Sequence, residues 1–168
     1  VVTIHGELEP WCVDHKALKK KIYWSLIQKR ILNAASAIQA ITKEEAEGIR
    51  AFGISAPIVV IPNGIEPMDF QSLPSREELE RLYPDLVGKK VLLFLGRIHQ
   101  KKGLDILAKA FGQIAGNRSD LHLLIVGPDN DDYRNQVEKL LESMEVLDKT
   151  TFAGMLTERE KLAALSRA

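Results

Sequence analysis

A parallel α/β fold is predicted for this chain by three observations. Short runs rich in β-branched residues alternate with longer segments whose apolar residues recur at helical spacing. Glycines stand where such runs give way to helical patterns, as at Gly96 and Gly127. The 168 residues are 45% hydrophobic and 27% charged, enough for a real core and ordinary for a soluble globular protein. Alternation of this kind builds βαβ units around a parallel sheet flanked by helices.

The first strand is VVTI, residues 1–4. A helix is predicted from Lys16 to Asn33, with apolar residues four apart at Leu18, Ile22 and Leu26 and again at Tyr23, Ile27 and Ile31. AIQAI at 37–41 is a short strand, followed by a helix over Lys43 to Phe52 that Gly53 stops. PIVVI at 57–61 is a strand ending in the turn residues Pro62, Asn63 and Gly64. From there to about Lys89, Pro67, Pro74 and Pro84 bracket one short acidic helix, Arg76 to Tyr83, in a connector. Three strand–helix repeats follow: 90–95 with 103–115, 121–126 with 131–144, and 150–153 with 158–167. Thr157 and Glu160 form a capping box at the start of the last helix. The boundary falls near Gly64, dividing the chain into 1–64 and 65–168.

Charge and cysteine content exclude several classes. With 23 basic and 23 acidic residues the net charge is zero, so nothing global suggests nucleic-acid binding. Any electrostatic function must be local. One cysteine, Cys12, cannot make an internal disulfide, which fits a reducing cytoplasm. No apolar run approaches the ~18 residues of a membrane span. The chain opens at Val1, inside a strand, and is expected to be a piece of a longer protein.

LGRIHQKKG, residues 95–103, is the most informative stretch. It joins a predicted strand to a predicted helix and carries Arg97, Lys101 and Lys102 with no acid between them. Helix N-termini ordinarily favour acids, so three cations there need a reason. In open parallel sheets ligands sit at the carboxyl ends of the strands, and Gly96 and Gly127 both fall on that edge. A glycine lets a phosphate approach closely, Arg97 can fork two phosphate oxygens, and Lys102 adds a point charge where the helix offers free N–H groups. A diphosphate suits this chemistry. The alternative is a solvated basic turn whose glycines only permit the bend. Neither G-x-G-x-x-G nor the Walker pattern is present, which disfavours a dinucleotide dehydrogenase or a P-loop NTPase.

VVIPNGIEPMDF at 59–70, LLFLGRIHQKKGLDILAKAF at 92–111, LHLLIVGPD at 121–129 and TFAGML at 151–156 stand in an order that resembles the retaining glycosyltransferases of family 4, or group 1. The resemblance implies a GT-B fold of Rossmann-like domains and transfer of a sugar from a nucleoside-diphosphate donor (UDP, GDP or ADP) to a carbohydrate or lipid-linked acceptor, with retention and without a metal or other cofactor. It implies that Arg97 and Lys102 hold the donor diphosphate, with Gly96 permitting close approach. It makes His5 a candidate catalytic residue, Gly127 and Pro128 part of the donor pocket, and Met155 and Leu156 neighbours of the nucleotide base. It further assigns 1–64 to the acceptor side and 65–168 to donor binding. The chain departs from the family in having no Glu-x7-Glu pair. As written it is expected to be inactive alone, which keeps a non-catalytic nucleotide-sugar binding module, a structural α/β domain and a sugar epimerase as rival readings.

Other signals are weaker. Asp129, Asp131 and Asp132 offer Asp-x-Asp for a divalent metal, but acids in a first helical turn are what the helix dipole favours. Residues 16–30 hold Lys16, Lys19, Lys20, Lys21, Lys29 and Arg30 and no acid, suiting either anionic lipid at a membrane periphery or a solvated helix face. Cys12 and His15 lack the further ligands that zinc needs. His99 sits in the phosphate loop, and His122 alternates with strand residues as a structural histidine would.

Overall fold

The computed structural model describes residues 1–4 and 27–168. They form two compact units, Val1–Ile65 and Glu66–Ala168. His5, Cys12, His15 and the basic residues Lys16, Lys19, Lys20 and Lys21 lie outside the described residues.

The first unit contains β1 (Val2–Thr3), α1 (Lys29–Asn33), β2 (Ile38–Ala40), α2 (Lys43–Ala51) and β3 (Ile58–Val60). The three strands pair in parallel in the order β1-β2-β3, with Ile38 opposite both Val2 and Ile58. Ile38 and Ala40 of the central strand are fully buried and pack with Ile4, Leu32, Ala46, Ile49 and Ile54. The hydroxyl of Thr42 accepts from Glu45 N–H while the Glu45 carboxylate accepts from Ile41 N–H at 2.6 Å, which satisfies one open donor in the first turn of α2 and another just ahead of it. Gly53, at φ +71°, ends that turn as predicted.

The second unit contains α3 (Arg76–Leu82), β4 (Lys90–Leu95), α4 (Leu104–Ala115), β5 (Leu121–Val126), α5 (Arg134–Ser143), β6 (Thr150–Gly154) and α6 (Glu158–Arg167). Its sheet is parallel in the order β4-β5-β6. All six residues of β5 are buried, as expected of a central parallel strand covered on both faces. Leu121, Leu123 and Ile125 point into the core made with α4 and α5 through Phe111, Val137 and Leu141. Leu124 and Val126 point the other way, toward Leu79 of α3 and Ala163 and Ala164 of α6. Arg167 anchors that second layer: its Nε lies 2.7 Å from Glu80 Oε1 and its NH2 group donates to the carbonyls of Leu86 and Lys89.

Several boundaries depart from expectation. The helix predicted from residue 131 begins at Arg134, because Asp132 adopts a left-handed φ of +53° that no α-helix accommodates. The strands predicted at 37–41 and 57–61 shorten to three residues each. Among the described residues no helix is long and apolar enough to cross a membrane.

Candidate functional site

The carboxyl ends of β4, β5 and β6 are laced together by backbone. Gly96 N–H donates to Val126 O at 2.9 Å, and Gly127 N–H donates to Gly154 O at 2.8 Å. Gly127 has φ +144°, and a Cβ there would stand 1.9 Å from the Gly96 carbonyl oxygen. Glycine is therefore required at 127 by the close approach of the two loops as well as by the bend.

Ile98 continues the pairing three residues past the end of β4. Its N–H donates to Pro128 O at 2.9 Å, it bridges in parallel to Asp129, and its side chain is 2% exposed in the α4 and α5 core. Arg97 lies between two residues fixed in this way, and its side chain is exposed. A short 3-10 turn, Gln100–Lys102, then delivers Lys102 to the residue before Gly103. Gly103 occupies the N-cap of α4 at φ +67° and has no side chain to cap with. Its carbonyl takes Leu107 N–H, so the amides of Leu104, Asp105 and Ile106 precede the first helical bond. Among the described residues no salt bridge joins a carboxylate to Arg97 or Lys102. Two exposed cations, Arg97 just past β4 and Lys102 beside Gly103, thus lie on the loop that leads into an uncapped helix N-terminus, an arrangement suited to a phosphate.

The remaining candidates fall as follows. Gly127 is buried and Pro128 half-buried on the loop that touches Gly96. Met155 is 79% exposed just past β6. Leu156 turns its side chain into the opposite layer beside Leu79 and Leu86, leaving its backbone for any contact at the strand end. Asp129 accepts from the N–H groups of Tyr133 and Arg134 at 3.0 and 3.1 Å, the capping role expected of an acid ahead of α5. His122 is 3% exposed with Nε2 2.8 Å from Thr151 Oγ1, and burial pushes its pKa down. Sequence reasoning missed Gly103 and Gly154 as left-handed hinges of the site, and it missed the partner of His99, since Asp131 lies 32 residues away with no local signal joining them.

Comparison with known proteins adds to this geometry. Residues 75–168 match the family described as Glycosyl transferases group 1, and residues 1–68 match Glycosyltransferase Family 4. Over 102 residues the chain is 32% identical to an uncharacterized glycosyltransferase of Methanocaldococcus jannaschii, covering 59% of this chain and 25% of that protein. The crystal structure of Anabaena HepE in complex with UDP and glucose superposes with a TM-score of 0.74 at 19% identity, covering 95% of this chain and 42% of that one. WaaG, a glycosyltransferase involved in lipopolysaccharide biosynthesis, gives a TM-score of 0.59 at 20% identity over 74% of this chain and 35% of its own. The α,α-trehalose-phosphate synthase (UDP-forming) of Burkholderia xenovorans gives 0.58 at 18% identity over 82% and 39%. These likenesses show the fold, the α/β architecture of GT-B proteins. The chain spans a quarter of the curated relative and less than half of each solved structure.

Proposed function

The chain belongs to the glycosyl transferases of group 1, and from that premise we propose that its second unit holds the diphosphate of a nucleotide-sugar donor through Gly96, Arg97 and Lys102. The observation that carries this reading is the pair of exposed cations on the loop that runs from the carboxyl edge of a parallel sheet into the uncapped N-terminus of α4. When a sugar leaves a nucleoside diphosphate, negative charge grows on the diphosphate. Cationic donors near that charge stabilise the transition state, and the backbone that carries Arg97 is fixed on either side by the bonds of Gly96 to Val126 and Ile98 to Pro128.

Gly127 and Pro128 shape the adjoining wall, while Met155 and the backbone at Leu156 meet the base. The parent enzyme transfers the sugar with retention to a carbohydrate or lipid-linked acceptor, without a metal, and His5 serves in catalysis. HepE, solved with UDP and glucose, supports a nucleotide-sugar donor by analogy of fold. A cytoplasmic setting is part of the same reading, with residues 16–30 as a solvated helix face; retention on anionic but not neutral vesicles at moderate salt would instead make them a lipid-contacting segment.

The decisive experiment is a calorimetric titration of the chain with UDP, GDP and ADP in the presence of EDTA, repeated on Arg97→Ala and Lys102→Ala. One nucleotide should bind, and each substitution should weaken it by roughly 10- to 100-fold, the worth of a charge-assisted hydrogen bond. Undiminished binding in both variants overturns the diphosphate assignment. Binding lost on addition of EDTA overturns metal independence.

A further inference from the structure

The loop that presents Lys102 is joined to the loop after β5 by a side-chain contact that diphosphate binding does not itself require. His99 Nδ1 accepts from Lys101 N–H at 3.0 Å, and His99 Nε2 lies 3.3 Å from Asp131 Oδ2. A ring nitrogen that accepts carries no proton, so the proton sits on Nε2, the nitrogen that faces the Asp131 carboxylate. The ring therefore uses one nitrogen to cap the turn that delivers Lys102 and the other to reach across to the neighbouring loop.

The backbone pairing between the two loops runs as far as Ile98, which bonds Pro128. Past it the turn's backbone bonds are local, from Lys102 N–H to His99 O and from Gly103 N–H to Gln100 O. On the other side the three acids divide their tasks. Asp129 is engaged by the start of α5, Asp132 sits in the left-handed region at φ +53°, and Asp131 between them faces His99. A bent loop with Asp129 tied to α5 is a firm base from which to hold the histidine.

We propose that His99 and Asp131 form a clamp between the two loops, and that His99 is a positioning residue that sets where Lys102 and the N-terminus of α4 stand for the donor diphosphate. The proposal rests on the diphosphate reading above. It removes Asp131 from any Asp-x-Asp cation site and gives it the task of holding the imidazole.

The test uses the whole chain, with far-UV circular dichroism as a check on folding. His99→Asn keeps an acceptor for Lys101 N–H but is too short to reach Asp131. It should weaken nucleoside-diphosphate binding by about three- to tenfold, the range of a pairwise coupling. Asp131→Asn and Asp131→Ala remove the same charge, and only Asn keeps an acceptor. The clamp requires Asp131→Ala to bind about three- to tenfold more weakly than Asp131→Asn, with no further loss when His99→Asn is added to Asp131→Ala. Equal binding by the two Asp131 variants, or additive losses, overturns it. A second readout needs no nucleotide: nitrogen-15 shifts of the His99 ring at pH 8 should report the Nε2-protonated tautomer, and that tautomer should lose its dominance in Asp131→Ala. A ring whose tautomer is indifferent to Asp131 refutes the clamp. A wild-type chain that binds none of UDP, GDP or ADP refutes the positioning role together with the diphosphate reading, even where the tautomer responds.

Discussion

Replacing Gly127 by alanine tests how the loops of the site are brought together. The new Cβ would lie 1.9 Å from Gly96 O, 2.6 Å from Gly96 C and 3.4 Å from Arg97 N, at a backbone φ of +144°. Ordinary contact begins near 3.4 Å, so the Gly96 carbonyl would have to retreat by about 1.5 Å. That movement endangers two hydrogen bonds, Gly96 N–H to Val126 O and Gly127 N–H to Gly154 O. Backbone strain of about 1–3 kcal/mol and two lost bonds at roughly 1 kcal/mol each give an expected loss of about 3–5 kcal/mol. Set against a typical stability of about 5–15 kcal/mol, such a loss lowers the urea midpoint visibly in unfolding followed by circular dichroism. Because Arg97 follows the displaced carbonyl, nucleotide binding should fall in the same variant. Gly116→Ala is the matched control. Its backbone is already helical at φ −49° and ψ −53°, and its Cβ would meet Gly112 O at an ordinary 3.6 Å, so it should be neutral or gain up to about 1 kcal/mol. If Gly127→Ala loses less than about 1 kcal/mol and binds nucleotide normally, the close approach is not what the glycine serves.

Three further outcomes follow from the packing. Arg167→Ala leaves Glu80, only 17% exposed at its side chain, without its partner and frees the carbonyls of Leu86 and Lys89; a loss of about 2–4 kcal/mol is expected, and combining Arg167→Met with Glu80→Leu should recover more than half of it in the same unfolding assay. Gly112→Ala places a Cβ 2.5 Å from Met144 Cε and 2.8 Å from its Cβ, costing about 1–3 kcal/mol, and adding Met144→Gly, which removes both atoms, should shrink that increment, whereas an unchanged increment would refute the steric account. Burial lowers the pKa of His122, so between that lowered value and the ordinary value near ~6.5 the unfolded chain binds more protons than the folded one. Its contribution is fully present above the ordinary value and is lost as pH falls through the window. Comparison of unfolding free energies at pH 7.5 and 5.5 should therefore show a smaller drop in His122→Gln than in wild type, and equal drops would refute the burial account.

Much of the architecture was legible from local pattern. LHLLIV reads as a strand because it is a short apolar run broken only by His122, and β5 spans those residues. The capping box at Thr157 and Glu160 was equally plain, since both partners lie within one helical turn and form together. Arg97 and Lys102 drew notice as cations at a helix start for the same reason: helix dipoles and chain spacing are local quantities. The N-terminus of α5 was misread, because acids favour a first helical turn but the left-handed Asp132 stops the helix short of it.

By itself, then, the sequence determined the parallel α/β class, the order of its elements and the cations on one strand-to-helix loop, all of which depend on residues close in the chain. Tertiary structure alone decided that Gly127 has no space for a methyl against Gly96, that Leu156 turns into the core, and that Asp131 rather than Asp129 meets His99. Those facts depend on which loops the parallel pairing of β4, β5 and β6 sets side by side, across separations of about thirty residues that no local propensity encodes.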